Sequence, residues 1–248
     1  MNKKDSYLEL IGNVKKSYRI SEHISNSKNI YMNWCDDCEE INLWTYWQGC
    51  GCLDPKILLV GQDWGGLDHD NSEEFLQNIR QMNQDVECPY FDNNVSETDK
   101  NLSMLFESIG YHDILSNRYS DLFFTNLSLG YRSHGTSGNL NPKWLSRDYE
   151  YFARLVSILE PEIVICLGKS TFVGVLDALK VPNKPKIQKF NDFIQSESNP
   201  VQTDCNGKRM LIYGFAHCGV MGTLNRNDKK DRSLDRQIED WSKILKEQ

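Results

Sequence analysis

Four apolar runs, separated by segments of helical period, constrain this chain more than any other feature. KILLVG (56–61), LFFTNLS (122–128), EIVICLG (162–168) and MLIYGFA (210–216) are continuous rather than alternating. They therefore read as strands buried on both faces, not as strands with one wet side. Between them, Leu102, Leu105, Phe106 and Ile109 recur at helical spacing, and Gly110 supplies the stop. Phe152, Leu155, Val156 and Leu159 repeat the pattern, with Ser146 as the expected cap and Pro161 as the terminator. Residues 169–180 predict a third helix, and Leu234, Ile238, Trp241 and Leu245 a last one. Strands alternating with helices predict an α/β fold, a parallel sheet covered by helices on both faces. The stretch 181–208, with Pro182, Pro185, Pro200 and Gly207, reads as a long irregular connection.

Composition narrows the function classes. At 248 residues, 39% hydrophobic and 25% charged, the chain can bury a substantial core and is not a disordered tail. It has no apolar run of about 18 residues, so no helical membrane span is expected. The start, MNKKDSYLEL, has no apolar stretch of the signal-peptide kind, and a cytoplasmic location is expected. The net charge of −7 argues against a protein that grips nucleic acid by bulk charge. That sum hides an asymmetry. Residues 56–120 carry 4 basic and 12 acidic side chains, whereas 181–248 carry 12 basic and 9 acidic ones.

Four of the eight cysteines cluster within WCDDCEEINLWTYWQGCGC: Cys35, Cys38, Cys50 and Cys52, spaced C-x2-C-x11-C-x-C. In a reducing compartment such a group reads first as a metal site, because persistent disulfides are rare there. Four thiolates suit a closed, structural Zn²⁺ site. An iron–sulfur cluster and unliganded thiols are the alternatives. Cys88, Cys166, Cys205 and Cys218 lack such spacing, and Cys166 lies in an apolar run where a free thiol is ordinary packing. The expected organisation is an N-terminal helical extension bearing the four-cysteine site over 1–54, followed by the α/β domain over 55–248.

Open parallel sheets bind ligands at the carboxyl ends of their strands. The first strand is followed there by Gln62-Asp63-Trp64-Gly65-Gly66, the second ends at Thr125-Asn126, the third gives Gly168-Lys169-Ser170 and the fourth His217-Cys218-Gly219. One carboxylate, one carboxamide and one imidazole are thus expected on a single edge. Each alone has a plain structural reading: a helix cap for Asp63, a turn former for Asn126, a hydrogen-bonded buried ring for His217. Their convergence carries more weight than any of the three. Neither G-x-G-x-x-G nor a P-loop is present, so nucleotide binding has little support.

At these residues the chain resembles the uracil-DNA glycosylase superfamily over roughly 55–245. GQDWGG resembles the motif that introduces the water-positioning carboxylate, and LFFTNLSLGYR the strand with the uracil-reading Asn. LEPEIVICLGKSTF is similar to the family's Leu-x-x-Pro, apolar strand and Leu-Gly segment. GFAHCGVMG occupies the place of the His motif, and CPYFDNN the place of a stacking aromatic. The resemblance implies a three-layer αβα sandwich and a glycosylase that hydrolyses the N-glycosidic bond of a flipped-out uracil or related deaminated base. It assigns Asp63 and His217 as catalytic, and Asn126 as the reader of the base. It adds Gln62 as a backbone donor to the base and Tyr90 or Phe91 as the stacking ring. Gly65 stands where some branches carry a Tyr that blocks thymine, so either Trp64 serves as the steric gate or a bulkier base is admitted. Arg226, Lys229, Lys230 and Arg232 fall where the family contacts DNA; their other reading is a solvated helix start.

The chain also departs from the family. Cys218-Gly219 stand where Pro-Ser commonly follows the His. In the family's iron–sulfur branches a cysteine follows the base-reading Asn where this chain has Gly130, so that cluster does not carry over. The expected partner is DNA, with no membrane. The alternative reading is a non-catalytic nucleic-acid or nucleotide-binding protein on the same fold.

Overall fold

The computed structural model describes residues 2–20, 32–33, 48–49, 52–63, 95–129, 131–132 and 145–247. Its centre is a five-stranded sheet built from β2 (Ile57–Gly61), β3 (Leu122–Asn126), β5 (Ile163–Leu167), β6 (Val201–Cys205) and β7 (Lys208–Phe215). The strand order is β3-β2-β5-β7-β6. β2 runs parallel to β3 and β5, and β5 parallel to β7; only the edge strand β6 is antiparallel. The four apolar runs therefore form one parallel sheet, as their continuous hydrophobicity predicts. A separate two-stranded ladder pairs β1 (Met32–Asn33) with β4 (Tyr131–Arg132), tying the N-terminal segment to the chain just beyond β3.

Period-2 alternation sends neighbouring strand residues to opposite faces, and both faces are covered. Leu58, Val60, Phe123, Val164, Cys166 and Ile212 enter one apolar cluster. That cluster is completed by α1 (Lys3–Ile20), α3 (Tyr149–Leu159) and α4 (Lys169–Ala178). Ile57, Leu59, Phe124, Ile165, Tyr213 and Phe215 enter the other, under α2 (Glu97–Glu107) and α7 (Asp235–Trp241). Helices on both faces of a mostly parallel sheet are the α/β arrangement expected. α1 buries Tyr7, Leu10, Ile11 and Val14 in the first cluster, and Lys3 reaches from it to Asp54 at 2.7 Å and to Glu160 at 3.7 Å.

The helix ends follow local chemistry. Ser96 caps α2, accepting from the Asp99 N–H at 3.2 Å and donating to its carboxylate at 2.7 Å. Beyond the helix Gly110 takes the left-handed conformation, φ +95°. The expected Ser146 cap is corrected. Asp148 stands before α3, and its carboxylate bonds the Leu129 N–H at 2.8 Å instead of capping its own helix. A buried acceptor near an unpaired strand-exit N–H wins over a local cap.

The long irregular connection is also corrected, for it contains α5 (Phe190–Gln195) and β6. β6 and β7 form a hairpin across Asn206 (φ 52°) and Gly207 (φ 83°), with Cys205 opposite Lys208. Positive φ at both central residues is what a tight two-residue turn requires, and Asn-Gly supplies it. Glu160 clamps this turn. It accepts from Asn206 at 2.8 Å and Lys208 at 2.6 Å, which hold its carboxyl down at about 2.

Candidate functional site

Parallel pairing places Gly61, the last residue of β2, directly opposite Asn126, the last of β3. Beyond the sheet the two chains stay joined. Leu127 N–H donates to Gly61 C=O and Ser128 N–H to Gln62 C=O, each at 2.9 Å. Asn126 is 7% exposed, and no hydrogen bond reaches its carboxamide from the described residues. A buried amide of this kind has donor and acceptor capacity to offer a ligand. Gly61 is what lets it lie there, since a β-carbon at Gly61 would stand 2.2 Å from Asn126 Oδ1. Just beyond β2, Gln62 donates through Nε2 to Asp63 Oδ2 at 2.8 Å, and both side chains are half-buried.

His217 reaches the same edge from β7. Gly168, just beyond β5 at φ +94°, donates to Phe215 C=O at 2.7 Å and leaves room beside the His217 Cβ. His217 keeps access to solvent although protein surrounds its ring, and Asp63 is near enough for its charge to act on that ring. Surrounding protein lowers the His217 pKa below 6.5, with the Asp63 charge opposing the shift. Geometry agrees with the first effect. Gly219 N–H donates to His217 Nδ1 at 2.9 Å, which requires an unprotonated Nδ1 and so leaves the proton of the neutral ring on Nε2.

The loop that carries His217 is built tightly. Cys218 is fully buried and its thiol is pushed up to about 12 by burial, so it acts as packing and not as a nucleophile. Asn101 of α2 donates to Cys218 C=O at 2.7 Å. A short helix, α6 (Val220–Arg226), follows, and at Gly222 a β-carbon would meet the His217 carbonyl oxygen at 2.0 Å. Gln237 donates to Thr223 Oγ1 at 3.0 Å and thereby joins α7 to α6.

Arg226 is corrected from a DNA contact to a core residue. It is 2% exposed and forks onto the Asp240 carboxylate at 2.6 and 2.8 Å. Charge patterning in the sequence cannot tell an inward-facing cation from an outward one. Lys229, Lys230 and Arg232 are exposed in the following turn. The interleaved acids there are engaged in holding it: Asp228 pairs with Arg236 at 3.0 Å, and Asp231 accepts from Asn227 at 2.7 Å and Ser233 N–H at 3.0 Å. A second basic strip, which no sequence motif marks, lies close by. Lys169 donates to Ile187 C=O at 3.1 Å, binding a loop with exposed Lys186 and Lys189 to the carboxyl end of β5. Asn191 donates to Asn225 C=O at 2.9 Å and joins that loop's helix to α6.

Trp64, Tyr90, Phe91, Cys35, Cys38 and Cys50 lie outside the described residues. Cys52, the remaining member of the four-thiol group, donates its thiol proton to Ser120 C=O. Burial raises its pKa. It lines a cleft of about 470 Å³ with Asp54, Arg118 and Tyr119, at the amino ends of β2 and β3 and so away from His217. No group of three or more metal-ligating side chains occurs among the described residues. Among them, too, no helix is long and apolar enough to cross a membrane. No protein-family model matches this chain, and a search of curated proteins finds no match.

Proposed function

We propose that this protein is a DNA glycosylase that hydrolyses the N-glycosidic bond of a flipped-out uracil or a related deaminated base. The observation that carries the reading is the meeting of Asp63, Asn126 and His217 at one sheet edge, with Gly219 N–H donating to His217 Nδ1. A base must leave the duplex stack before its glycosidic bond can be reached. Asn126 then donates to uracil O4 and accepts from N3–H, a pattern that cytosine reverses, so cytosine leaves buried groups unpaired. As the bond breaks, negative charge grows on the ring, and the Nε2–H of a neutral His217 stabilises it without giving up its proton. Asp63, oriented by Gln62, aligns a water and stabilises the cationic sugar. Gln62 adds a backbone donor to the base, Tyr90 or Phe91 a stacking ring, and Trp64 a gate.

Lys229, Lys230 and Arg232 form one cationic lip, with Lys169, Lys186 and Lys189 as the second. Phosphate contacts of this kind position a strand without reading it. We further assign Zn²⁺ to Cys35, Cys38, Cys50 and Cys52 on the strength of their spacing. Binding requires Cys52 to lose its proton and release Ser120, a cost that metal–thiolate bonding is able to exceed.

Incubation with uracil-containing single- and double-stranded oligonucleotides, followed by alkaline cleavage, tests the reading. Abasic product that is lost in Asp63→Asn and His217→Ala is expected. Folded, metal-replete protein that binds the oligonucleotides but yields none would favour the non-catalytic reading on this fold.

A further inference from the structure

We infer that Asn101 is a positioning residue for His217, acting through the Cys218–Gly219 peptide. The two hydrogen bonds involved share one amide. Asn101 Nδ2 donates to its carbonyl, Cys218 C=O, at 2.7 Å, and its N–H, on Gly219, donates to His217 Nδ1 at 2.9 Å. Because a peptide is planar, fixing the direction of the carbonyl fixes the direction of the N–H on the opposite side. A donor on the carbonyl oxygen also polarises the amide and strengthens its N–H as a donor. Asn101 therefore both aims and reinforces the bond that keeps the proton on Nε2.

Thr223 does not substitute for it. Its hydroxyl has one proton to offer, and both Cys218 C=O at 3.4 Å and Gly219 C=O at 3.2 Å compete for it. α2 holds the loop at a further point, where the Cys218 thiol donates to Thr98 C=O at 3.6 Å. A β-carbon on Gly219 would stand only 2.9 Å from Thr98 Oγ1, so a larger residue there would have to push that side chain aside.

The relay is a property of the free protein; its catalytic use rests on the glycosylase reading. Long-range ¹H–¹⁵N spectra of the imidazole nitrogens, recorded above neutral pH on the full chain, read it directly. The His217 signals are assigned by their loss in His217→Gln. The native ring is expected as the Nε2–H tautomer, with a ¹⁵N–¹⁵N coupling across the hydrogen bond from Gly219. Asn101→Asp keeps the shape but replaces the donor by an acceptor, and the tautomer ratio is expected to fall about fivefold, the factor one net hydrogen bond supplies. Asn101→Ala should move it in the same direction. A folded Asn101→Asp protein with the native ratio overturns the relay. Absence of the Gly219–His217 coupling from the native spectrum does so too, even where the variants fail to fold. Uracil release by the native protein is scored separately, so the relay and the glycosylase reading fail independently.

Discussion

Gly61 leaves no space for a side chain beside the carboxamide of Asn126: a β-carbon there would stand 2.2 Å from Oδ1. Gly61→Ala must therefore move Asn126 rather than the rigid sheet. Because the clashing atom is the end of a side chain, the carboxamide can yield at a cost below the roughly 1–3 kcal/mol of overpacking a rigid core. Uracil release is expected to fall at least tenfold in kcat/KM, about 1.4 kcal/mol of transition-state stabilisation. Circular dichroism should show the fold retained. Unchanged kinetics would mean that Asn126 does not read the base.

Arg226 and the exposed cations after it should separate stability from binding. Arg226→Ala leaves the Asp240 carboxylate buried without its partner, a loss of about 3–5 kcal/mol. Replacing both by apolar residues, Arg226→Met with Asp240→Leu, should restore most of it. Changing Lys229, Lys230 and Arg232 together to Ala should leave the denaturation midpoint nearly unmoved. On single strands it should lower the salt slope of binding by about two, at about 0.7 for each phosphate no longer neutralised. Chemical denaturation and salt titrations of binding measure the two effects.

The pH response follows from His217. Its folded pKa lies below 6.5, so between that value and 6.5 the unfolded chain holds more protons than the folded one. Stability then rises with pH across this window, and the contribution of His217, complete above 6.5, is lost as pH falls through the folded value. Glycosylase activity should be level above neutrality and decline in acid, since a protonated ring has no acceptor for Gly219 N–H. An NMR titration of His217 with a midpoint above 6.5 would contradict this.

For the metal, elemental analysis of protein purified without chelator should give one zinc per chain. Cys52→Ser should release it and lower the thermal midpoint. Absence of stoichiometric metal would eliminate the assignment.

Much of the architecture was legible because burial on both faces leaves a mark in the chain. Strands such as Ile57–Gly61 and Ile163–Leu167 are apolar throughout, which few other structures explain. Parallel pairing then sends their ends to one edge, so Asp63, Asn126 and His217 could be placed together from order alone. The β6–β7 hairpin was missed although Asn206-Gly207 announces it, because the neighbouring prolines made the whole stretch read as loop. The inward direction of Arg226 is illegible for another reason. Its direction is set by Asp240, 14 residues later and one helix away, and no local pattern encodes that.

The sequence by itself determined the fold class and the edge to which Asp63, Asn126 and His217 are brought, since both follow from hydrophobic period and chain order. Tertiary structure alone decided which polar groups face inward and how each is aimed. Asn101 and Cys218 are 117 residues apart, and only the packing of α2 against the His217 loop brings them to 2.7 Å. Apolar period is written locally along a chain. A hydrogen bond between distant segments exists only after the core has closed.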